Sequence, residues 1–170
     1  VNISDIPVSA PANSIAPLGG LAGLTAFGDD YGERIRGFFT APSTGYYYFW
    51  VAGSDSAQLW ISNDGDPVNK VLRAWVTPTN NPTSPGRNGT SPRQWNVQAS
   101  QRSGWLSLVA GQKYYLEVLH KAGVGFGDNW SVGWLQDPWG TNTVPASVTP
   151  SYLVGRYYPP LPINIPCTLY

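Results

Sequence analysis

The chain has 170 residues, ten Lys and Arg side chains, ten Asp and Glu side chains and a formal net charge of zero at pH 7. This balance argues against the basic surface by which proteins bind nucleic acid, and no apolar run reaches the ~18 residues that would span a bilayer. A single cysteine, Cys167, and a single histidine, His120, exclude an internal disulfide, a zinc cluster and most His-based catalytic sites.

Turn-forming and aromatic residues dominate the composition, with 19 Gly, 16 Pro and 14% aromatic residues against 12% charged residues. This combination favours a folded core built of short elements and argues against disorder. We expect one domain over residues 1–170, with a core at 31–158, an N-terminal arm at 1–30 and a Pro-rich tail at 159–170. The first residues lack the basic start and apolar core of a signal peptide, so we expect a mature or excised soluble domain.

Strand-like alternation begins after the arm. Ile35 and Phe39 share one face of a predicted strand between residues 31 and 42, and the run at 46–53 is aromatic on both faces. A loop without an apolar pattern occupies residues 77–90. Further strands are predicted at residues 57–63, 69–76, 104–110, 113–121 and 129–136.

Strands of five to eight residues separated by frequent turn signals are typical of all-β domains. The sequence shows no amphipathic helix of convincing length and no internal repeat. We therefore predict an all-β fold, an antiparallel β-sandwich or barrel with few or no helices.

Nine short motifs follow one another over roughly residues 31–134, most of the domain. They are YGERIRG at 31–37, AP…TGYYYFW at 41–50, SDSAQLWIS at 54–62, DPVNK at 66–70, SPRQW at 91–95, QRS at 101–103, AGQKYY at 110–115, LHK at 119–121 and VGW at 132–134. In these motifs and their order the chain resembles the protective-antigen (PA-fourteen) domain family.

The resemblance implies a protective-antigen-domain-like β-sandwich that binds carbohydrate without catalysis. In the family's sugar-binding members, two consecutive Asp residues joined by a cis peptide hold a Ca²⁺ that ligates sugar hydroxyls. The chain carries Ser54 and Asp55 at this pair; a shift by one residue would instead use Asp55 and Ser56 but leaves a residue missing before Leu59. In either register one carboxylate is absent.

Calcium affinity follows the number of carboxylates that a site supplies, so this departure leaves both a calcium-loaded and a metal-free site open. The candidate metal ligands are Ser54, Asp55 and Asp128. Asp128 and Asn129 follow the Gly-rich stretch GVGFG, which would let a loop approach a ligand closely. A turn aspartate and a flexible hairpin are the alternative interpretations of Asp55 and of this loop.

Two aromatic residues near this loop are candidates for stacking on a sugar ring. Trp130 shares strand parity with Val132 and Trp134, which favours a core position, whereas Phe126 lies within the Gly-rich loop. The predicted ligand-binding residues are therefore Asp55, Phe126, Asp128, Asn129 and Trp130.

The remaining polar candidates favour structural roles. His120 alternates with Tyr114, Leu116 and Val118 in one strand and is predicted to be packed and hydrogen-bonded. Glu117, on the opposite face, is predicted to form an ion pair with Arg34 or Arg36.

These features predict a non-catalytic carbohydrate-binding module that uses the 54–55 corner and the 123–129 and 77–90 loops. We expect it to be monomeric, fused to other domains in a secreted or cell-surface glycan-active enzyme or adhesin, with a polysaccharide or other glycan as partner and no membrane insertion. A protein-interaction module of the same fold is the alternative, favoured by the missing carboxylate. A glycosidase using Asp55 and Asp128 is a third hypothesis, which the scarcity of paired acids disfavours.

Overall fold

Nine β-strands form the regular structure of the chain in a computed structural model that describes residues 3–6, 14–17, 21–82, 88–125, 127–137 and 166–169. Three single-turn 3-10 helices, Ile3–Asp5, Pro67–Asn69 and Ala99–Gln101, accompany them. The strands are β1 (Ser14–Pro17), β2 (Gly32–Thr40), β3 (Gly45–Ser54), β4 (Ser56–Ser62), β5 (Lys70–Val76), β6 (Leu106–Leu108), β7 (Lys113–Lys121), β8 (Asn129–Asp137) and β9 (Pro166–Leu169).

The strands form two antiparallel sheets, which confirms the predicted all-β sandwich. One sheet has six strands in the order β1-β9-β2-β7-β4-β5, and the other has three in the order β6-β3-β8. Within the described ranges, no helix is long and apolar enough to cross a membrane.

The core lies between the sheets and is built from alternate residues of facing strands. β2 contributes Ile35 and Phe39, β7 contributes Leu116 and Val118, and all four side chains are buried. This is the parity that the sequence predicts, because successive strand residues point to opposite faces of a sheet. Phe39 packs edge-to-face on Phe49 of β3, with ring centroids 5.2 Å apart.

Strand β3 is buried on both faces, which explains its aromatic run. Tyr47, Phe49 and Val51 join the main core. Tyr48 and Trp50 on the other face pack in a second cluster that includes Trp95. Residues after β5 thus fold back over the outer side of the three-stranded sheet, and both faces of β3 are removed from water.

The predicted tail at 159–170 contains a β-strand. Residues 166–169 form β9, which pairs with β1 on one side and with residues 33–35 of β2 on the other. Four residues after a Pro-rich stretch carry too little alternation to predict a strand, and their pairing is set by partners distant in the sequence.

Candidate functional site

Strand pairing brings together two loops that the sequence separates by more than sixty residues. At the end of β3, Ser54 lies opposite Asn129, the first residue of β8. At the start of β4, Ser56 lies opposite Lys121, the last residue of β7. The corner at Asp55 therefore faces the loop 122–128 that joins β7 to β8.

The corner between β3 and β4 is held by hydrogen bonds of both the amide and the carboxylate of Asp55. The Ser54–Asp55 peptide bond is cis, the bond that the resemblance places between the paired acidic residues. The Asp55 amide donates to the Lys121 carbonyl at 3.2 Å, and Asp55 Oδ2 accepts from the Gly123 amide at 2.6 Å. The half-buried carboxylate is thus fixed against the opposing loop.

His120 lies beneath this corner as a buried, hydrogen-bonded side chain, as predicted. Its Nε2 is 2.8 Å from the Ser54 carbonyl oxygen and its Nδ1 is 2.9 Å from Glu33 Oε2. A carbonyl oxygen only accepts hydrogen bonds, so Nε2 carries the proton that joins His120 to the corner.

Asp128 and Asn129 present buried oxygen atoms that lack hydrogen-bond partners. Asp128 is 5% exposed; its Oδ2 accepts from the Tyr31 hydroxyl, and its Oδ1 has no partner among the described residues. Asn129 donates from Nδ2 to the Thr90 carbonyl at 3.0 Å, whereas its Oδ1 is also without a described partner. A buried oxygen without a hydrogen-bond partner costs free energy unless another group binds it. These two oxygens are therefore candidate ligands for a cation.

A third segment, residues 88–90, buttresses the corner from the long loop. Thr90 donates its amide to the Gly53 carbonyl at 2.8 Å, and its hydroxyl accepts from the Gly53 amide at 2.8 Å. Gly89 has a φ of 76°, and a Cβ there would lie 2.4 Å from the Gly53 oxygen. Only glycine allows the loop to approach this closely.

These three segments line an open cavity of about 220 Å³. Ser54, Asp55 and Asp128, the predicted metal ligands, all line it, and Asn129 adjoins it in sequence. The remaining lining residues are Asn88, Ala122, Gly123, Val124 and Gly125.

Trp130 does not offer a stacking surface, so its inclusion among the ligand-binding residues was wrong. Its side chain is 1% exposed and belongs to the main core. Gly23 of the N-terminal arm packs directly on the indole, where an added Cβ would lie 2.2 Å from Nε1. Phe126 lies outside the described residues.

Asn88 lines the cavity from the 77–90 loop, which the sequence predicted as part of the site without singling out this residue. Segment 26–30 of the arm, which was not predicted there, is hydrogen-bonded to the 122–128 loop. Nothing in the pattern of the arm signalled a place beside the site.

The oxygen atoms at the cavity supply part of the ligand set that a calcium ion takes. The described residues contain no group of three or more His, Cys, Asp or Glu side chains that could hold a metal. However, Ca²⁺ also takes amide, hydroxyl and backbone carbonyl oxygens. Two carboxylates, with two unpartnered oxygens on Asp128 and Asn129, match such a mixed set.

Curated proteins similar to this chain are much longer than it. The chain is 35% identical over 105 residues to N-acetyl-beta-glucosaminyl-glycoprotein 4-beta-N-acetylgalactosaminyltransferase 1 of Mus musculus, covering 62% of this chain and 10% of the mouse protein. It is 32% identical over 100 residues to fibrocystin of Canis lupus familiaris, covering 55% of this chain and 2% of that protein. The chain therefore spans a tenth or less of these two relatives.

Two solved structures show a distant likeness. The A domain of epithelial adhesin 9 of Candida glabrata, in complex with Galb1-4GlcNAc, matches with 12% identity and a TM-score of 0.42 over 63% of this chain and 45% of that chain. The A domain of epithelial adhesin 6 of the same organism, in complex with Galb1-3GlcNAc, matches with 11% identity and a TM-score of 0.43 over 71% and 57%.

The resemblance inferred from the nine motifs is confirmed by comparison with protein families. The PA14 domain matches residues 5–147, which include every strand from β1 to β8 and every described loop of the cavity. The chain belongs to the PA14 domain family.

Proposed function

We propose that this domain is a non-catalytic carbohydrate-binding module whose glycan site is the cavity between the 54–56 corner and the 122–128 loop. The observation that carries the proposal is the pair of carboxylates, Asp55 and Asp128, that line one cavity, where a buried Asp128 oxygen has no partner among the described residues. Oxygen-rich, partly buried sites of this kind suit ligands with many hydroxyl groups, with or without a cation between them.

Calcium is the cation that these oxygens suit best. Asp55 and Asp128 would supply the carboxylates, and Asn129 and Ser54 would supply neutral oxygens. Asp128 would restore the second carboxylate that Ser54 does not supply. A bound Ca²⁺ would supply open coordination positions for vicinal sugar hydroxyls.

The surroundings of the site support the placement of these ligands. Tyr31 holds Asp128 Oδ2 and leaves Oδ1 unpartnered, and Gly123 holds one oxygen of Asp55. Sites with side chains fixed before binding lose less conformational entropy when the ligand arrives.

The comparisons support a role within a larger protein. The mouse relative's name describes an enzyme that acts on glycoprotein glycans, and this chain matches only a tenth of it. A module that binds glycan and leaves bond chemistry to a neighbouring domain accounts for both facts. We place the module in a secreted or cell-surface protein and propose that it is a monomer. Its affinity for a surface would rise when several copies bind at the same time.

A glycan array probed with the purified domain in millimolar Ca²⁺ and in EDTA tests the proposal. We expect binding in Ca²⁺ that is lost in EDTA and in Asp55→Asn, a substitution that removes the charge but can still accept from Gly123. Asp66→Asn, an exposed acid whose Oδ1 caps the Val68 amide, is the matched control and should bind as the parent does.

Other outcomes separate the alternatives. Binding that survives EDTA and Asp55→Asn would place the site elsewhere on the domain. If no glycan on the array binds and a specific protein partner is found, the domain is a protein-interaction module. The presence of Ser54 in place of an acidic residue favours this alternative. Release of reducing sugar from any polysaccharide would contradict the non-catalytic assignment.

A further inference from the structure

We infer that Phe27 forms the aromatic wall of a second sugar subsite beside the cavity, so that the domain recognises at least a disaccharide. The inference rests on the proposed function and extends it to a residue of the N-terminal arm. It assigns to Phe27 the stacking role for which Trp130 is too deeply buried.

The arm is fastened along the cavity loop by three hydrogen bonds. The Ala26 amide donates to the Asp128 carbonyl at 3.0 Å, and the Asp30 amide donates to the Gly123 carbonyl at 3.2 Å. In the opposite direction, the Gly125 amide donates to Asp29 Oδ1 at 3.2 Å. Phe27 therefore lies in a segment that is fastened to the loop that lines the cavity.

The Phe27 ring is connected to the candidate ligands through a single residue. It packs edge-to-face on Tyr31 with centroids 5.3 Å apart, and the Tyr31 hydroxyl donates to Asp128. The ring is nevertheless 52% exposed. An aromatic side chain that is held in place but open to solvent is suited to stack on the C–H face of a pyranose.

The backbone near Phe27 is left-handed at two residues, which is unfavourable for Ala26 and better tolerated by Asp30. Ala26 and Asp30 have φ values of 56° and 50°, in the left-handed region that alanine rarely enters. Such conformations persist where the surrounding contacts impose them, and they cluster at ligand-binding segments. Here the contacts that impose them are those to the cavity loop.

The exposed side chains around Phe27 are of two kinds. Leu24 in the arm is apolar and largely exposed, whereas Asp29 and Asp30 are exposed acids. Val124 in the cavity loop is also largely exposed, and it lines the cavity itself. Apolar side chains beside an oxygen-rich cavity match a ligand with one hydroxyl-rich sugar and a neighbouring ring that offers its apolar face.

The test compares methyl glycosides with disaccharides that carry the same terminal sugar. The probes are the methyl glycosides of galactose, glucose, mannose, N-acetylglucosamine, N-acetylgalactosamine and fucose, and their β1-3 and β1-4 disaccharides with N-acetylglucosamine. Affinities are measured by calorimetry in Ca²⁺ for the parent domain, Phe27→Ala, Phe27→Leu and Phe27→Trp. Trp105→Ala is the matched control, since Trp105 is 55% exposed and packs edge-to-face on Tyr46, near the other end of β3.

We expect the parent to bind the disaccharide roughly fivefold to tenfold more tightly than the methyl glycoside. Phe27→Ala and Phe27→Leu should lose this gain in affinity. Phe27→Trp should retain the gain, and Trp105→Ala should match the parent. Calcium affinity and melting temperature serve as checks that the loop is intact; Phe27→Leu, which keeps most of the volume, should preserve both.

Three results would overturn the assignment. In the first, Phe27→Ala leaves the affinity for both methyl glycosides and disaccharides unchanged. In the second, it weakens the affinity for both classes equally, which would mean that Phe27 supports binding of the first sugar. Binding of no probe by the parent would remove both the proposed function and this subsite. Asp55→Asn separates the two proposals, because it should abolish binding of both ligand classes, whereas Phe27→Ala affects only the disaccharide gain.

Discussion

Gly89 meets a steric requirement at the cavity that other residue types do not. Its φ of 76° is in the left-handed region, and a Cβ would overlap the carbonyl oxygens of Gly53 and Asp55 at 2.4 and 2.6 Å. Strand pairing of β3 holds the Gly53 backbone, and the hydrogen bond from the Asp55 amide to the Lys121 carbonyl holds the corner at Asp55, so neither oxygen can move away cheaply.

We predict that Gly89→Ala destabilises the domain by about 2 to 5 kcal/mol, the sum of the left-handed backbone cost and the clash. Gly111→Ala is the matched control because Gly111 has a φ of 75° and open space around the added Cβ. It should lose only about 1 to 2 kcal/mol. Urea denaturation measures the free energy of unfolding of both variants. Equal losses would show that the backbone at the corner shifts to accommodate the added methyl group.

Strand β7 carries a charged network on the face opposite the core. Glu117, which is buried, accepts from Arg34 at 2.9 Å, from Lys70 at 2.5 Å and from the Tyr115 hydroxyl at 2.7 Å. The predicted ion pair with Arg34 is therefore present, and Lys70 of β5 is a further partner. The network joins three strands of the six-stranded sheet, β2, β7 and β5.

Glu117 stays ionised despite its burial. Desolvation, the largest single effect, raises the pKa of Glu117, but the hydrogen bonds from Lys70, Tyr115 and Arg34 together outweigh it and leave the pKa below the ordinary value of 4.5. Burial and the Glu117 carboxylate raise the pKa of Tyr115 well above its usual range, so the phenol remains a donor.

The pH dependence of stability follows from this direction. A depressed carboxyl pKa in the folded state stabilises the protein above the unfolded pKa, and this stability is lost as the pH falls below about 4.5 and through the folded pKa. We predict that Glu117→Gln costs about 1 to 3 kcal/mol at pH 7 and that its difference from the parent shrinks in acid. Thermal unfolding between pH 2 and 7 measures both.

Asp30→Asn is the control for this prediction. The Lys121 hydrogen bond lowers the pKa of Asp30 as well, but this carboxylate is exposed to solvent. Because exposed ion pairs contribute little, Asp30→Asn should follow the parent at every pH. A Glu117→Gln profile parallel to that of the parent would show that the network does not respond to pH.

The domain as a unit should be stabilised by its proposed calcium ion. A ligand that binds only the folded state at 100 times its dissociation constant adds about 2.7 kcal/mol to the free energy of unfolding. For a chain of this size we predict a rise in melting temperature of roughly 5 to 10 °C in saturating Ca²⁺.

The same measurement on Asp55→Asn and Asp128→Asn identifies the ligands. Both variants should lose the calcium-induced rise, and Mg²⁺ should produce a smaller one because it dehydrates reluctantly and demands octahedral geometry. A rise of equal size in the parent and in both variants would mean that calcium binds elsewhere.

Much of the fold and part of the site were predictable from local patterns. Alternation placed Ile35, Phe39 and Val118 in the core, because side-chain direction in a strand follows residue parity wherever the strand lies. The same parity predicted a buried His120. Asp55 was identifiable through the resemblance of residues 54–62 to the family's paired acids, and Asp128 through the Gly-rich stretch that precedes it.

Other features required contacts between distant segments. The burial of Trp130 depends on Gly23, the closeness of Asn88 to Asp55 depends on Gly89, and β9 exists only between β1 and β2. The arm that carries Phe27 has no periodicity, and its hydrogen bonds go to residues almost a hundred positions away. The sequence by itself determined strands β2 to β8, their core faces and the family, because these depend on local patterns and short motifs. The tertiary structure alone decided which loops meet at the cavity and which aromatic ring stays open to solvent, because both depend on pairing across the chain.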